Sequence, residues 1–147
     1  MIAAASAGFL LAVLWMDLIF DSQVLRHRRA DALPEPVLAS IAGYYRRATT
    51  TSRPMSLLIA LVMLVLLGAL GFRWLSGDDA LWLMIALTVL AGAPILLALT
   101  RTVPNAVALG SRAGTPDEQS RLARAICLDH LVCLPMMSAF LVVWVVA

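Results

Sequence analysis

Two acids and one imidazole stand inside stretches that are otherwise apolar. Asp17 falls within the run Ile2 to Phe20, and the pair Asp129-His130 falls within Ala125 to Ala147. An ionisable group in such a place is costly to bury and marks a candidate functional site by default. Histidine titrates near neutral pH, so neighbouring carboxylates and burial can tune His130 into a general base. Asp129 and Asp17 are the acids able to do so. Asp21 follows Asp17 by one helical turn and stacks on the same face. Arg101 and Asn105 carry donors suited to an anionic oxygen of a substrate, and Arg53 opens another apolar run from the same side. The candidate catalytic residues are therefore His130, Asp129 and Asp17. The candidate substrate-binding residues are Arg101, Asn105, Asp21 and Arg53.

Two other roles compete for these side chains. In the first, Asp17 or Asp129 pairs with Arg101 or Arg53, His130 bonds a backbone carbonyl, and the set merely fastens helices together. In the second, Asp17, Asp129 and His130 ligate a metal with Cys133 as a fourth donor, or Cys133 joins Met136 and Met137 around copper(I), which soft ligands select. The spacing speaks against a metal. His130 has no histidine partner one turn away, and the remaining histidine, His27, lies outside the runs. A haem held by two histidines fails for the same reason. Cys127 and Cys133 form no CxxC pair and fit better as small packing residues. No phosphate-binding glycine loop and no Ser/His/Asp arrangement occurs, so neither a metal nor a cofactor is expected.

The elements that position these residues follow from composition. Of 147 residues, 62% are hydrophobic and 14% charged, against roughly 45–50% and about 25% in soluble domains. With a mean hydropathy of +0.92, the chain cannot cover itself with a polar surface. That excludes a soluble enzyme, a nucleic-acid-binding domain and a disordered tail, and makes the lipid bilayer the first partner. A bilayer core takes about 20 apolar residues as a helix. Four runs qualify, at about 2–20, 55–72, 80–100 and 125–147, giving an all-α, four-transmembrane-helix bundle built as a single membrane domain over 1–147. Arginines follow the first run rather than precede it, so it reads as a span and not as a cleaved signal.

All 11 basic residues are arginine, and their distribution sets an expected orientation. Six lie between the first two spans, Arg73 alone lies between the next two, and four flank the last loop. The positive-inside rule then puts both basic loops in the cytoplasm and both termini outside, as in a bacterial inner membrane. Within the first loop, Pro34-Glu35-Pro36 starts a short helix to about Ala48, with Val37, Leu38, Ile41 and Tyr45 at helical spacing. Its end, Tyr44-Tyr45-Arg46-Arg47, suits a cytoplasmic interfacial helix lying in the headgroup layer. Thr115-Pro116-Asp117-Glu118 predicts a capped helix start well before the fourth span enters lipid. Ala4 with Gly8, Gly68 with Gly71, and Gly92 supply close-packing surfaces, for internal seams or for a homo-oligomer.

Depth decides whether the polar groups meet. Asp17 lies about fifteen residues, roughly 22 Å, below the outer end of its helix, hence about 8 Å short of the inner edge of a core about 30 Å thick. Asp129 and His130 lie one turn past the inner entrance of the fourth span. Both sites thus share one layer, from which we expect a polar cavity open to the cytoplasm and sealed outwards by leucine, valine and tryptophan.

In layout the chain resembles the anthrone-oxygenase-like family of small four-helix membrane proteins, mostly of unknown function. The resemblance rests on Tyr44-Tyr45-Arg46-Arg47 before Pro54, on Val103-Pro104-Asn105 with Leu109 closing the third span, and on Leu128-Asp129-His130-Leu131 in the fourth. It implies an oxidoreductase acting without an obvious cofactor on a hydrophobic phenolic or quinone-like small molecule. Deprotonating an anthrone-like phenol raises its electron density enough to react with dioxygen, and an arginine would hold the anion. Trp15, Phe20 and Phe140 would line a ring-sized pocket. The alternative is a non-enzymatic accessory subunit or a small transporter component.

Overall fold

The computed structural model describes residues 1–147, all helix and connecting turns without a strand. Four helical stretches are long and apolar enough to cross a membrane. The first is α1, Ile2–Arg26, and the second, after a short helix, is α3, Arg53–Ser76. The third is α4, Leu81–Leu97, continued through a π-turn into α5, Val103–Gly110. The last is α6, Pro116–Val146. Between α1 and α3 lies α2, Glu35–Arg46, ending in a second π-turn over Arg47–Thr51.

The start of α6 is fixed locally. Thr115 Oγ1 accepts from the Glu118 N–H at 3.3 Å, and Glu118 returns a carboxylate oxygen to the Thr115 N–H at 2.8 Å. Two of the backbone donors left over at the helix start are thereby satisfied. Thirty-one residues make α6 about 46 Å long, well beyond the roughly 30 Å of a hydrocarbon core.

The third span does not stop at Thr100 as its hydropathy predicts. It runs on to Gly110, thirty residues in all. Pro104 has no N–H for the Thr100 carbonyl, and an α-helix would break or kink there. The chain instead widens over Ala98–Thr102, where the Val103 N–H bonds the Ala98 carbonyl five residues back. The same device precedes Pro54, with the Ser52 N–H on the Arg47 carbonyl at 2.8 Å.

Two apolar cores result, one near each end of the bundle. One gathers Ala3, Ala7 and Leu10 of α1 with Leu66, Leu70, Leu87, Ala91, Met137 and Phe140. The other, at the arginine-rich end, gathers Val24, Val37, Leu38, Ile41, Tyr45, Ala106, Leu109 and Ile126. The apolar face of α2 is thus folded onto the bundle, and Tyr45 is turned inward rather than toward headgroups. Gly110 permits the close approach of α5 to the end of α2, since a Cβ there would sit 2.9 Å from the Arg46 backbone nitrogen. The expected glycine seams are not used inside the chain. A Cβ added at Gly8, Gly68, Gly71 or Gly92 would meet nothing within 4 Å, and the tight approach is made by buried Ala3, Ala7 and Ala91 instead.

Candidate functional site

Between the two cores lies one polar layer. Along α1, Asp17 and Asp21 fall after Leu10 and before Val24; along α6, Asp129 and His130 fall after Cys127 and before Met137. The common depth expected for these groups is therefore met, and His130 lies between the two α1 carboxylates. Its Nδ1 is 2.7 Å from Asp21 Oδ2 and its Nε2 is 3.6 Å from Asp17 Oδ2. One turn of α1 separates the two acids, which is the spacing needed to reach both nitrogens of one ring.

Two tyrosines from α2 complete the cluster. The Tyr45 hydroxyl donates to Asp21 Oδ1 at 2.8 Å and the Tyr44 hydroxyl to Asp17 Oδ1 at 2.7 Å. Burial, and next the neighbouring carboxylate, push both phenols well above the ordinary tyrosine range, so both hydroxyls stay protonated donors. Tyr44 also stacks on Phe20 with ring centroids 4.1 Å apart. Asp21 is fully buried and has both oxygens engaged, whereas the Asp17 side chain keeps 14% of its surface. The cluster therefore opens, where it opens at all, at Asp17.

With its proton on Nδ1, His130 donates to Asp21 and directs the Nε2 lone pair toward the Asp17 side. A buried carboxylate that fixes tautomer and orientation while the opposite nitrogen takes a proton is the division of labour in Asp–His catalytic pairs. No hydrogen bond consumes Nε2, since 3.6 Å to Asp17 is too long for one.

Asp129 belongs to a separate arrangement on the other flank of α6. It accepts from Thr102 Oγ1 at 3.1 Å, and Arg101 Nε lies 3.4 Å from its second oxygen. Thr102 and Arg101 come from the π-turn, which rotates the chain so that both reach α6. Arg101 remains half exposed, and its side chain makes no hydrogen bond within the protein. Beside this pair a shallow apolar groove of about 300 Å³ runs between α4 and α6, lined by Pro94, Leu97, Thr100, Val132, Cys133 and Met136.

Several sequence expectations are corrected here. Arg53 starts α3 at the bundle edge, exposed and without an ion pair, and is not brought to the cluster. Asn105 is half buried on α5 and makes no side-chain hydrogen bond with the cluster. The layer is packed by mutually bonded side chains rather than hollow, because α2 covers the end expected to be open. The three aromatic residues expected to line a pocket diverge. Trp15 faces outward, Phe140 stacks on Trp144 in the far core, and only Phe20 touches the cluster. No group of three or more His, Cys, Asp or Glu side chains is arranged to hold a metal ion. Tyr44, Tyr45 and Thr102 were not expected as site residues. Their one signal is that both tyrosines of the chain are adjacent on a helix with a buried face, where a phenol needs a polar partner.

Comparison of the chain with protein-family models, with curated proteins and with solved structures finds no match.

Proposed function

We propose that this multi-pass protein is a membrane oxidoreductase, similar to the anthrone-oxygenase-like group, that removes a proton from a hydrophobic phenolic or quinone-like small molecule. The observation that carries this is the His130 ring held between Asp21 and Asp17, one nitrogen anchored and the other unbonded. A substrate hydroxyl arriving at the Asp17 edge meets Nε2. Its proton moves to Nε2, and Asp21 stabilises the imidazolium that forms. The electron-rich anion then reacts with dioxygen. For an anthrone the sum balances as anthrone plus dioxygen giving anthraquinone plus water. By the arginine distribution, the cluster lies toward the cytoplasmic side of a bacterial inner membrane with both termini outside.

The test is oxygen uptake by the protein reconstituted in vesicles and offered anthrone. Uptake above that of protein-free vesicles, lost in folded His130→Ala and Asp21→Asn variants, is the expected result. Uptake no greater than that of the empty vesicles ends the proposal.

A non-enzymatic accessory role is favoured by a different observation. Tyr44 and Tyr45 fasten α2 onto α1 through fully paired contacts. In that case the same variants lose assembly rather than turnover.

A further inference from the structure

We propose that the notch formed by Leu25, Arg26, Arg28 and Arg29 at the C-terminal end of α1 is a binding site for the headgroup of an anionic phospholipid. The notch encloses about 380 Å³. Its three guanidinium groups are exposed, and none of the five ion pairs of the chain involves them. The carboxylates of this end are mostly committed elsewhere: Asp21 to Tyr45 and His130, Glu35 to Arg112, and Glu118 to the cap of α6. Asp31, the nearest acid in sequence, is exposed and pairs with none of the three arginines.

The level of the notch identifies what it meets. Each span carries a last exposed apolar side chain at this end, namely Leu25, Met55, Val107 and Leu128. Arginine follows within a few residues on every one: Arg26, Arg53, Arg112 and Arg124. On every span the exposed apolar surface thus gives way to arginine at this end. The notch begins there, with one apolar wall for the top of an acyl chain and three planar cations beyond it. Guanidinium forks match phosphate oxygens in pairs. Three unpaired cations favour a lipid with net negative charge over a zwitterionic one, whose own cation competes.

The probe is phosphatidylglycerol against phosphatidylcholine, each titrated onto the delipidated full-length protein and counted by native mass spectrometry. The expected result is a preference for phosphatidylglycerol that falls by on the order of tenfold or more in the triple variant Arg26→Gln, Arg28→Gln, Arg29→Gln. The double variant Arg46→Gln, Arg47→Gln keeps the preference. Because the three arginines have no protein partner, the Tm of the triple variant stays at the wild-type value. Equal binding of the two lipids overturns the proposal, and so does equal loss in both variants, which marks diffuse surface charge. Displacement of the lipid by equimolar inorganic phosphate assigns the notch to free phosphate and also overturns it. A fall in Tm that accompanies lost binding overturns it as well, by making the arginines part of the fold.

Discussion

Tyr45→Phe isolates a single interaction in the polar layer. The ring keeps its place against Ile41 and the His130 ring, because only the hydroxyl is removed, and the burial of the aromatic surface is unchanged. What is lost is the 2.8 Å bond to Asp21 Oδ1, together with a marginal 3.5 Å contact to His130 Nδ1. Neutral bonds between membrane helices average about 0.6 kcal/mol, whereas bonds to charged groups contribute roughly 1.5–3 kcal/mol. Asp21 has no exposed surface, and its other oxygen is already held by His130. Neither water nor a second donor can replace the hydroxyl, so the cost belongs in the upper range, about 2 kcal/mol. Tyr44→Phe removes an equally short bond, but Asp17 keeps some exposure and can recruit water. Its cost is about 1 kcal/mol or less. Reversible unfolding in mixed micelles, followed by tryptophan fluorescence, measures both, and limited proteolysis of the α2 segment shows where the loss is felt. A Tyr45→Phe protein as stable as wild type would refute the assignment of the hydroxyl to Asp21. A Tyr44→Phe protein less stable than Tyr45→Phe would reverse the order of burial on which the magnitudes rest.

Two further outcomes follow from the same geometry. The chain contains two tyrosines and both lie in the cluster, so tyrosinate absorbance reports on this site alone. Their folded pKa values are raised, burial first and the adjacent carboxylates next, while in the unfolded chain they ionise near about 10. The folded state therefore holds protons that the unfolded state gives up. Stability from this source is complete below about pH 10 and falls as pH rises beyond it. A spectrophotometric titration should show tyrosinate only together with unfolding, and a gradual native titration near pH 10 would contradict the buried pair. Gly110→Ala forces a Cβ to within 2.9 Å of the Arg46 nitrogen. Backbone on both sides leaves little room to yield, so a loss of about 1–3 kcal/mol is expected in the same unfolding assay, with no loss for Gly68→Ala, where space is open.

The layer occupied by Asp17, Asp21 and His130 was legible in the sequence because depth in a membrane helix is arithmetic: residue count times rise, measured from the ends of an apolar run. Direction around the helix axis was not. A span apolar on all sides has no preferred inward face, so nothing in the chain separated Asp21, which points into the cluster, from Arg53, which opens α3 from the same end and is exposed. The direction of Asn105 was hidden by the same gap, compounded by the π-turn at Ala98–Thr102. One residue of extra width there brings Thr102 and Arg101 to Asp129. Pro104 signals that the ladder must be interrupted but does not say by how much. The placement of α2 was open for a different reason. Val37, Leu38, Ile41 and Tyr45 make a stripe that lipid or protein can cover equally well, and the hydropathy pattern is identical in the two cases. The difference lies in the two phenolic hydroxyls. A headgroup layer supplies water to any donor, whereas a carboxylate withdrawn from it supplies one specific acceptor, and α1 presents two at one-turn spacing, Asp21 fully buried and Asp17 largely so. Adjacent tyrosines on α2 facing stacked aspartates on α1 are therefore a matched set, and the match binds α2 to the bundle. The residues that close the site over His130 are the ones that keep α2 out of the headgroup layer.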